Sequence, residues 1–121
     1  MARILVVDDD VAICDLLKKF LEKRNYEVST ALDGFEAMEK VRHEHPAVVL
    51  LDVDMPLKNG LDVLLEIKQC DKNIGVIMIT AMKSEAVGRH ALTKGAFDYI
   101  LKPFDFDYLE RALEWKLKFM E

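Results

Sequence analysis

Asp52 is the residue in this sequence with the clearest capacity for chemistry, because it directly follows the apolar run Val48–Leu51. A short run of this kind predicts a strand that is buried on both faces, as in parallel sheets. A carboxylate just past the end of such a strand lies on the edge where open α/β sheets bind ligands. Asp52 is therefore a candidate nucleophile or metal ligand.

Other reactive side chains follow apolar runs in the same way. They are Asp8, Asp9 and Asp10 after Ile4–Val7, Thr80 after Val76–Ile79, and Lys102 after Tyr99–Leu101. Carboxylates that converge repel each other by about 4 kcal/mol per pair at about 4 Å, in an effective dielectric of about 20. A hard divalent cation such as Mg²⁺ offsets this repulsion. Together with a lysine and a hydroxyl, such a site suits phosphoryl transfer to a carboxylate.

The elements that would position these side chains are predicted strands, marked by short apolar runs, which alternate with predicted helices. Five apolar runs are separated by stretches with helical spacing, and the runs are Ile4–Val7, Val28–Ala31, Val48–Leu51, Val76–Ile79 and Phe97–Leu101. This alternation predicts an α/β fold, a five-stranded parallel sheet flanked by five helices. In the common flavodoxin-like doubly wound order 2-1-3-4-5, the acids meet in one crevice, with the threonine and the lysine beside it.

Local signals predict how some helices begin and which side they bury. Asp10 and Ser84 are expected to cap the first and fourth helices. Leu61, Leu64 and Leu65 have the spacing of a buried face on the third helix.

Length and composition restrict the class of protein. The 121 residues, 51% of them hydrophobic, predict a single domain, 1–121, with a core that needs no disulfide framework. The net charge of −5 argues against nucleic-acid binding by this domain. No run approaches the roughly 20 apolar residues of a membrane span. No signal peptide is expected, and Cys14 and Cys70 lack a disulfide or zinc pattern, so a cytoplasmic location is expected.

Four motifs together resemble the receiver domain of two-component response regulators, of the chemotaxis and activator types. They are Val7–Asp9, Leu51–Pro56, Ile79–Ala81 and Leu101–Phe104. The resemblance covers essentially the whole chain. It implies that Asp52 is the phosphoacceptor, that Thr80 and Lys102 contact the phosphoryl group, and that the Lys102–Pro103 peptide bond is cis.

The resemblance also implies a cofactor and partners. Mg²⁺, or Mn²⁺ in its place, would be bound by the side chains of Asp9 and Asp52, by the backbone carbonyl of Asp54, and by Asp8 mainly through water. The phosphoryl donor would be a sensor histidine kinase, a phosphotransfer protein or a small acyl phosphate. The domain would then be a phosphorylation-activated switch of a phosphorelay rather than a turnover enzyme.

A candidate output surface lies toward the end of the chain. The resemblance implies that Thr80 moves toward the phosphoryl group and that Tyr99 then turns inward. This movement would change the surface formed by the fourth helix, the fifth strand and the fifth helix. Tyr108, Trp115 and Phe119 form a second apolar stripe on the last helix, and such stripes mark contact surfaces for a homodimer or an attached output domain.

Three alternatives compete with this interpretation. Leu50–Asp54 also resembles the Asp-x-Asp motif of haloacid dehalogenase phosphatases, although Met55 and Pro56 depart from that pattern. A flavodoxin-like FMN carrier would need a hydroxyl- and glycine-rich loop where Asp8, Asp9 and Asp10 stand. A receiver-like module that takes no phosphate would commonly lack one of the site residues. Whether the domain is free-standing or the amino-terminal part of a longer response regulator stays open.

Overall fold

The computed structural model describes residues 2–119 and contains five strands that alternate with five helices. The strands are β1 (Arg3–Val7), β2 (Glu27–Ala31), β3 (Val48–Asp52), β4 (Gly75–Thr80) and β5 (Asp98–Leu101). The helices are α1 (Val11–Glu22), α2 (Gly34–Glu44), α3 (Gly60–Cys70), α4 (Glu85–Thr93) and α5 (Phe106–Lys118), and a short 3₁₀ helix (Met82–Ser84) precedes α4. The predicted α/β class is confirmed.

All five strands are parallel, in the order β2-β1-β3-β4-β5 that the sequence predicts. Asp52 and Thr80 are the last residues of β3 and β4, whereas the sequence placed both just beyond the strands. The difference arises because pairing continues to the strand ends, where Asp52 is in register with Ile79 and Thr80 with Leu101. Both side chains therefore stand at the carboxyl edge of the sheet, as expected.

The core consists of two apolar layers, one on each face of the sheet. Along β1, Leu5 and Val7 join the layer under α2, α3 and α4, while Ile4 and Val6 join the layer under α1 and α5. This alternation follows from the period of two in a strand. Because both faces are covered, β3 and β4 are buried along their whole length, which explains their uninterrupted apolar runs.

The buried face of α3 agrees with the prediction at Leu64 and at Leu61, which packs against the core, and differs at Leu65. Val63, Leu64 and Ile67 are fully buried, whereas Leu65 is 39% exposed. Gly60 restricts how this helix can begin, because a Cβ there would lie 2.2 Å from the backbone oxygen of Asp52. Only glycine permits this close approach between the start of α3 and the end of β3.

The helix starts agree only in part with the sequence-based expectation. Asp10 caps α1, where its side chain accepts hydrogen bonds from the N–H groups of Ala12 and Ile13. Ser84 occupies the N-cap position of α4 but makes no side-chain capping bond there, so that prediction was wrong for the side chain. The Lys102–Pro103 peptide bond is cis, as predicted. Within residues 2–119, no helix has the length and apolar character needed to cross a bilayer.

Candidate functional site

Three acids converge at the carboxyl edge of the sheet. Asp8 directly follows β1, Asp9 is the next residue, and Asp52 ends β3. One carboxylate oxygen from each lies within 4.8 Å of the others, although Asp8 and Asp52 are buried and Asp9 is exposed. Three carboxylate oxygens this close together, one of them from an exposed residue, suit a hard divalent cation with bound waters.

Lys102 supplies the positive charge of this site. Its Nζ donates to Oδ2 of Asp8 over 3.0 Å and lies 3.7 Å from Oδ1 of Asp52. Lys102 follows β5, so its side chain reaches past the end of β4 to the acids at the ends of β3 and β1. Burial alone lowers the pKa of Lys102, but the hydrogen bond to Asp8 and the charge of Asp52 outweigh burial and raise it. Lys102 is therefore a cation at neutral pH.

The pKa of the Asp52 carboxyl group lies close to neutral pH. Burial, followed by the negative charge of Asp8, raises its pKa to about 7. The charge of Lys102 and the N–H group of Asp54, which donates to Oδ1 of Asp52 over 3.2 Å, oppose this rise. A cation beside the three acids would favour the ionised, nucleophilic form of Asp52.

Two contacts that the sequence did not suggest hold Asp8 in place. The N–H group of Asp10 donates to Oδ1 of Asp8 over 2.9 Å. The buried thiol of Cys14, whose pKa burial raises to about 11, donates to the backbone oxygen of Asp8 over 3.3 Å. These bonds tie the loop after β1 to the first turn of α1 and fix one oxygen of Asp8, while Lys102 binds the other.

Thr80 stands at the same edge, on the neighbouring strand β4, and is fully buried. Its hydroxyl donates to the backbone carbonyl of Ala81 over 3.1 Å, so it has a local partner in this structure. Gly88 of α4 packs beside it, because a Cβ at that position would lie 3.1 Å from Cγ2 of Thr80 and 3.4 Å from Cβ of Tyr99. One glycine thus leaves room beside both predicted switch residues.

Tyr99 of β5 is half-buried and packs against the core layer under α2, α3 and α4. The hydroxyl donates to Oε2 of Glu85, in the first turn of α4, over 3.2 Å. Tyr99 and Glu85 line a groove of about 550 Å³ between α4 and α5, together with Tyr108. In this structure the tyrosine hydroxyl is therefore bonded to a partner on α4.

The three aromatic residues predicted to form a stripe are exposed, two on α5 and Phe119 at its C-cap. Tyr108, Trp115 and Phe119 are 40%, 55% and 61% exposed. Trp115 stacks on Phe97, with 5.4 Å between ring centroids, and contacts Phe119 at 5.0 Å. A second groove, of about 360 Å³, lies between Tyr108 and Trp115. Apolar rings beside a groove are typical of a contact surface.

Sequence reasoning also missed a contact between Ser84 and Asp54, next to the acids. The hydroxyl of Ser84 donates to Oδ2 of Asp54 over 2.7 Å and so joins the loops that follow β3 and β4. A serine at the start of a helix is ordinarily interpreted as a cap. No local signal distinguishes a serine that caps its helix from one that binds a side chain 30 residues earlier.

The chain belongs to the response regulator receiver domain family, whose family model matches residues 4–114. It is therefore the receiver domain of a two-component response regulator, a phosphorylation-dependent signalling switch. Phosphorylation and Mg²⁺ binding are general features of this family. This membership supports the receiver interpretation over the haloacid dehalogenase alternative.

Curated relatives include a transcriptional regulator and a chemotaxis protein. The chain is 42% identical over 110 residues to the transcriptional regulatory protein ZraR of Klebsiella oxytoca, covering 91% of this chain and 25% of that protein. It is 38% identical over 112 residues to the chemotaxis protein CheY of Thermotoga maritima, covering 92% and 93% respectively. The chain thus spans about a quarter of the length of the first kind of relative and nearly all of the second.

Solved structures of receiver domains superimpose closely on this fold. A response regulator receiver domain from Clostridium thermocellum has a TM-score of 0.94 at 32% identity, over 98% of this chain and 95% of that one. The receiver domain of NtrX from Brucella abortus has a TM-score of 0.91 at 35% identity, over 96% and 98%. The strand order and the five flanking helices are those of this family.

Proposed function

We propose that Asp52 accepts the phosphoryl group, from the phosphohistidine of a sensor kinase or phosphotransfer protein or from a small acyl phosphate. The observation that carries this proposal is the buried Asp52 carboxylate, with Lys102 at 3.7 Å and two further acids beside it. An oxygen of Asp52 attacks phosphorus in line, the P–N or P–O bond of the donor breaks, and the leaving group takes the bonding electrons.

The other site residues would stabilise the negative charge of the phosphoryl group. Lys102 would bind an oxygen of the phosphoryl group, and Thr80 another after its hydroxyl leaves Ala81. Asp8, Asp9, Asp52 and the backbone carbonyl of Asp54 would hold Mg²⁺, or Mn²⁺. The bound cation would neutralise charge on the phosphoryl oxygens. Hydrolysis of the aspartyl phosphate would reset the switch, and the domain would take up one phosphate rather than turn over a substrate.

Incubation with acetyl phosphate and Mg²⁺ tests this proposal. We expect one added phosphate in the intact mass, which hydroxylamine removes because it cleaves acyl phosphates. Chelation of the metal with EDTA before the donor is added should prevent the adduct, since the acids would then repel an anionic donor. A phosphate that resists hydroxylamine, or that forms equally well in EDTA, would contradict an aspartyl phosphate at the acid cluster.

We further propose that phosphorylation is read out on the surface of α4, β5 and α5. Movement of Thr80 toward the phosphoryl group would free space beside Gly88, and Tyr99 would exchange its bond to Glu85 for an inward position. The partner at this surface would be a second copy of the domain, in contact with Tyr108, Trp115 and Phe119. The exposed rings of α5 support this part of the proposal.

Sedimentation with and without acetyl phosphate tests the dimer. We expect phosphorylation to increase the dimer fraction and Phe119→Ala to reduce that increase, because an exposed ring loses its contact. Phe35→Ala is the matched control, since Phe35 of α2 is 62% exposed and Phe119 61%. Equal effects of the two substitutions would indicate that the α5 stripe is not the interface.

We also propose the output that the domain controls and the compartment in which it acts. The output is transcription, carried by a domain that follows residue 121, because a relative with 42% identity is a transcriptional regulatory protein. Transfer takes place in the cytoplasm, as the two free thiols, Cys14 and Cys70, suggest. The reading frame downstream of this sequence would reveal such an output domain.

A further inference from the structure

Ser84 is at the N-cap position of α4, but its side chain does not cap that helix. It precedes α4, where a serine side chain usually accepts a hydrogen bond from its own helix. Its hydroxyl instead donates to Oδ2 of Asp54 over 2.7 Å. Its backbone N–H group donates to the backbone oxygen of Ala81 over 2.9 Å, so the turn that follows β4 fixes the backbone from which this side chain projects. The serine is thus held in place to bind another loop.

Asp54 is an acid two residues after Asp52 whose carboxylate is outside the cluster formed by Asp8, Asp9 and Asp52. Its side chain is exposed, while its N–H group donates to Oδ1 of Asp52 over 3.2 Å. The peptide of Asp54 is therefore fixed beside Asp52, and the direction of its carboxylate depends on what that carboxylate binds. A carboxylate free to turn toward Asp52 would add a fourth negative charge where a donor must bring phosphate.

We propose that Ser84 is a positioning residue that holds the Asp54 carboxylate against the start of α4 and away from the incoming phosphodonor. The inference rests on the proposed role of Asp52 as phosphoacceptor and adds a residue to that reaction. Within the part of the chain that the structure describes, the Ser84 hydroxyl bonds to Asp54 and not to the side chains of Asp8, Asp9 or Asp52. It acts through Asp54, by fixing where one negative charge lies.

A double-mutant cycle on the rate of phosphorylation by acetyl phosphate, at saturating Mg²⁺, tests this role. We expect Ser84→Ala to slow phosphorylation by about threefold to tenfold and to make the rate more dependent on salt, because an exposed charge is screened by ions. Ser84→Thr keeps the hydroxyl and should restore the rate. In an Asp54→Asn background, Ser84→Ala should have no further effect, since the charge it controls is gone.

The outcomes separate the role of Ser84 from that of Asp52. Equal rates for the wild type and Ser84→Ala, or the same slowing in both backgrounds, would overturn the positioning role, since a structural defect does not depend on the charge of residue 54. Failure of Ser84→Thr to restore the rate would overturn it as well. If none of the proteins takes up phosphate, the proposed function itself fails, a result distinct from adducts that form at equal rates. Thermal unfolding of each variant confirms that it is folded.

Discussion

Replacement of Asp52 with asparagine is expected to abolish the phosphate adduct and, at the same time, to stabilise the metal-free domain. The adduct is lost because an amide cannot serve as the nucleophile that the carboxylate provides. The stability is gained because Asp52 is buried beside Asp8, where its negative charge is costly. One substitution should therefore change function and stability in opposite directions.

The sign of the stability change depends on pH. The pKa of Asp52 is raised from 3.8 to about 7, first by burial and then by Asp8. Between these values the folded protein keeps a proton that the unfolded chain has released, so wild-type stability falls as pH rises through this window. Above it the cost is complete, on the order of 4 kcal/mol, since one pKa unit corresponds to about 1.4 kcal/mol. The Asp52→Asn variant does not have this cost.

Denaturant unfolding in EDTA, at about pH 5 and about pH 8, measures this difference. The advantage of Asp52→Asn over the wild type should be larger at the higher pH. Asp15→Asn is the matched control, because Asp15 is exposed on α1 and the charge change is the same. Excess Mg²⁺ should raise the stability of the wild type and narrow the gap, since the folded state alone offers the acid cluster. A gap that does not vary with pH would contradict the raised pKa.

Lys102→Met is expected to slow phosphorylation on the order of 100-fold, the effect of removing one preorganised donor to a transition-state oxygen. Two physical causes act together. The phosphoryl oxygens lose a positive charge, and Asp52 loses the charge that opposes the rise in its pKa, so less of it is ionised at neutral pH. Methionine keeps most of the side-chain volume, so packing is disturbed little.

Phosphorylation rates measured across pH separate these two causes. The rate of Lys102→Met should recover partly at higher pH, where Asp52 is ionised again, but the loss of charge on the transition state should persist. Lys94→Met is the control, because Lys94 is exposed at the end of α4 and undergoes the same chemical change. A rate for Lys102→Met that matches this control would show that Lys102 is not part of the site.

The strand order and the position of the acids could be predicted because each depends on a local pattern and a general rule. A short apolar run followed by an acid indicates a buried strand that ends at Asp52, and parallel strands bring their carboxyl ends to one edge. The same reasoning brought Asp8 and Lys102 to that edge from distant parts of the chain. It required the short apolar runs, the handedness of the connections and the common doubly wound strand order.

The rotation of α3 could not be predicted in the same way. Apolar residues lie on several sides of this helix, so the spacing of Leu61, Leu64 and Leu65 fits a buried face as well as the observed one does. The contact of Gly60 with the backbone of Asp52 is a tertiary feature that restricts the helix start. The periodicity of a helix that is apolar over a wide arc does not reveal such a contact.

The sequence by itself determined which groups meet at the edge of the sheet: three carboxylates, a threonine and a lysine at successive strand ends. Only the tertiary structure decided how they pair. Lys102 bonds to Asp8 more closely than to Asp52, Tyr99 bonds to Glu85, and Ser84 bonds to Asp54. The apolar runs that form the strands are local, so the sequence shows which reactive side chains follow them. Side-chain partners depend instead on loop paths and rotamers that form only when the whole domain is packed.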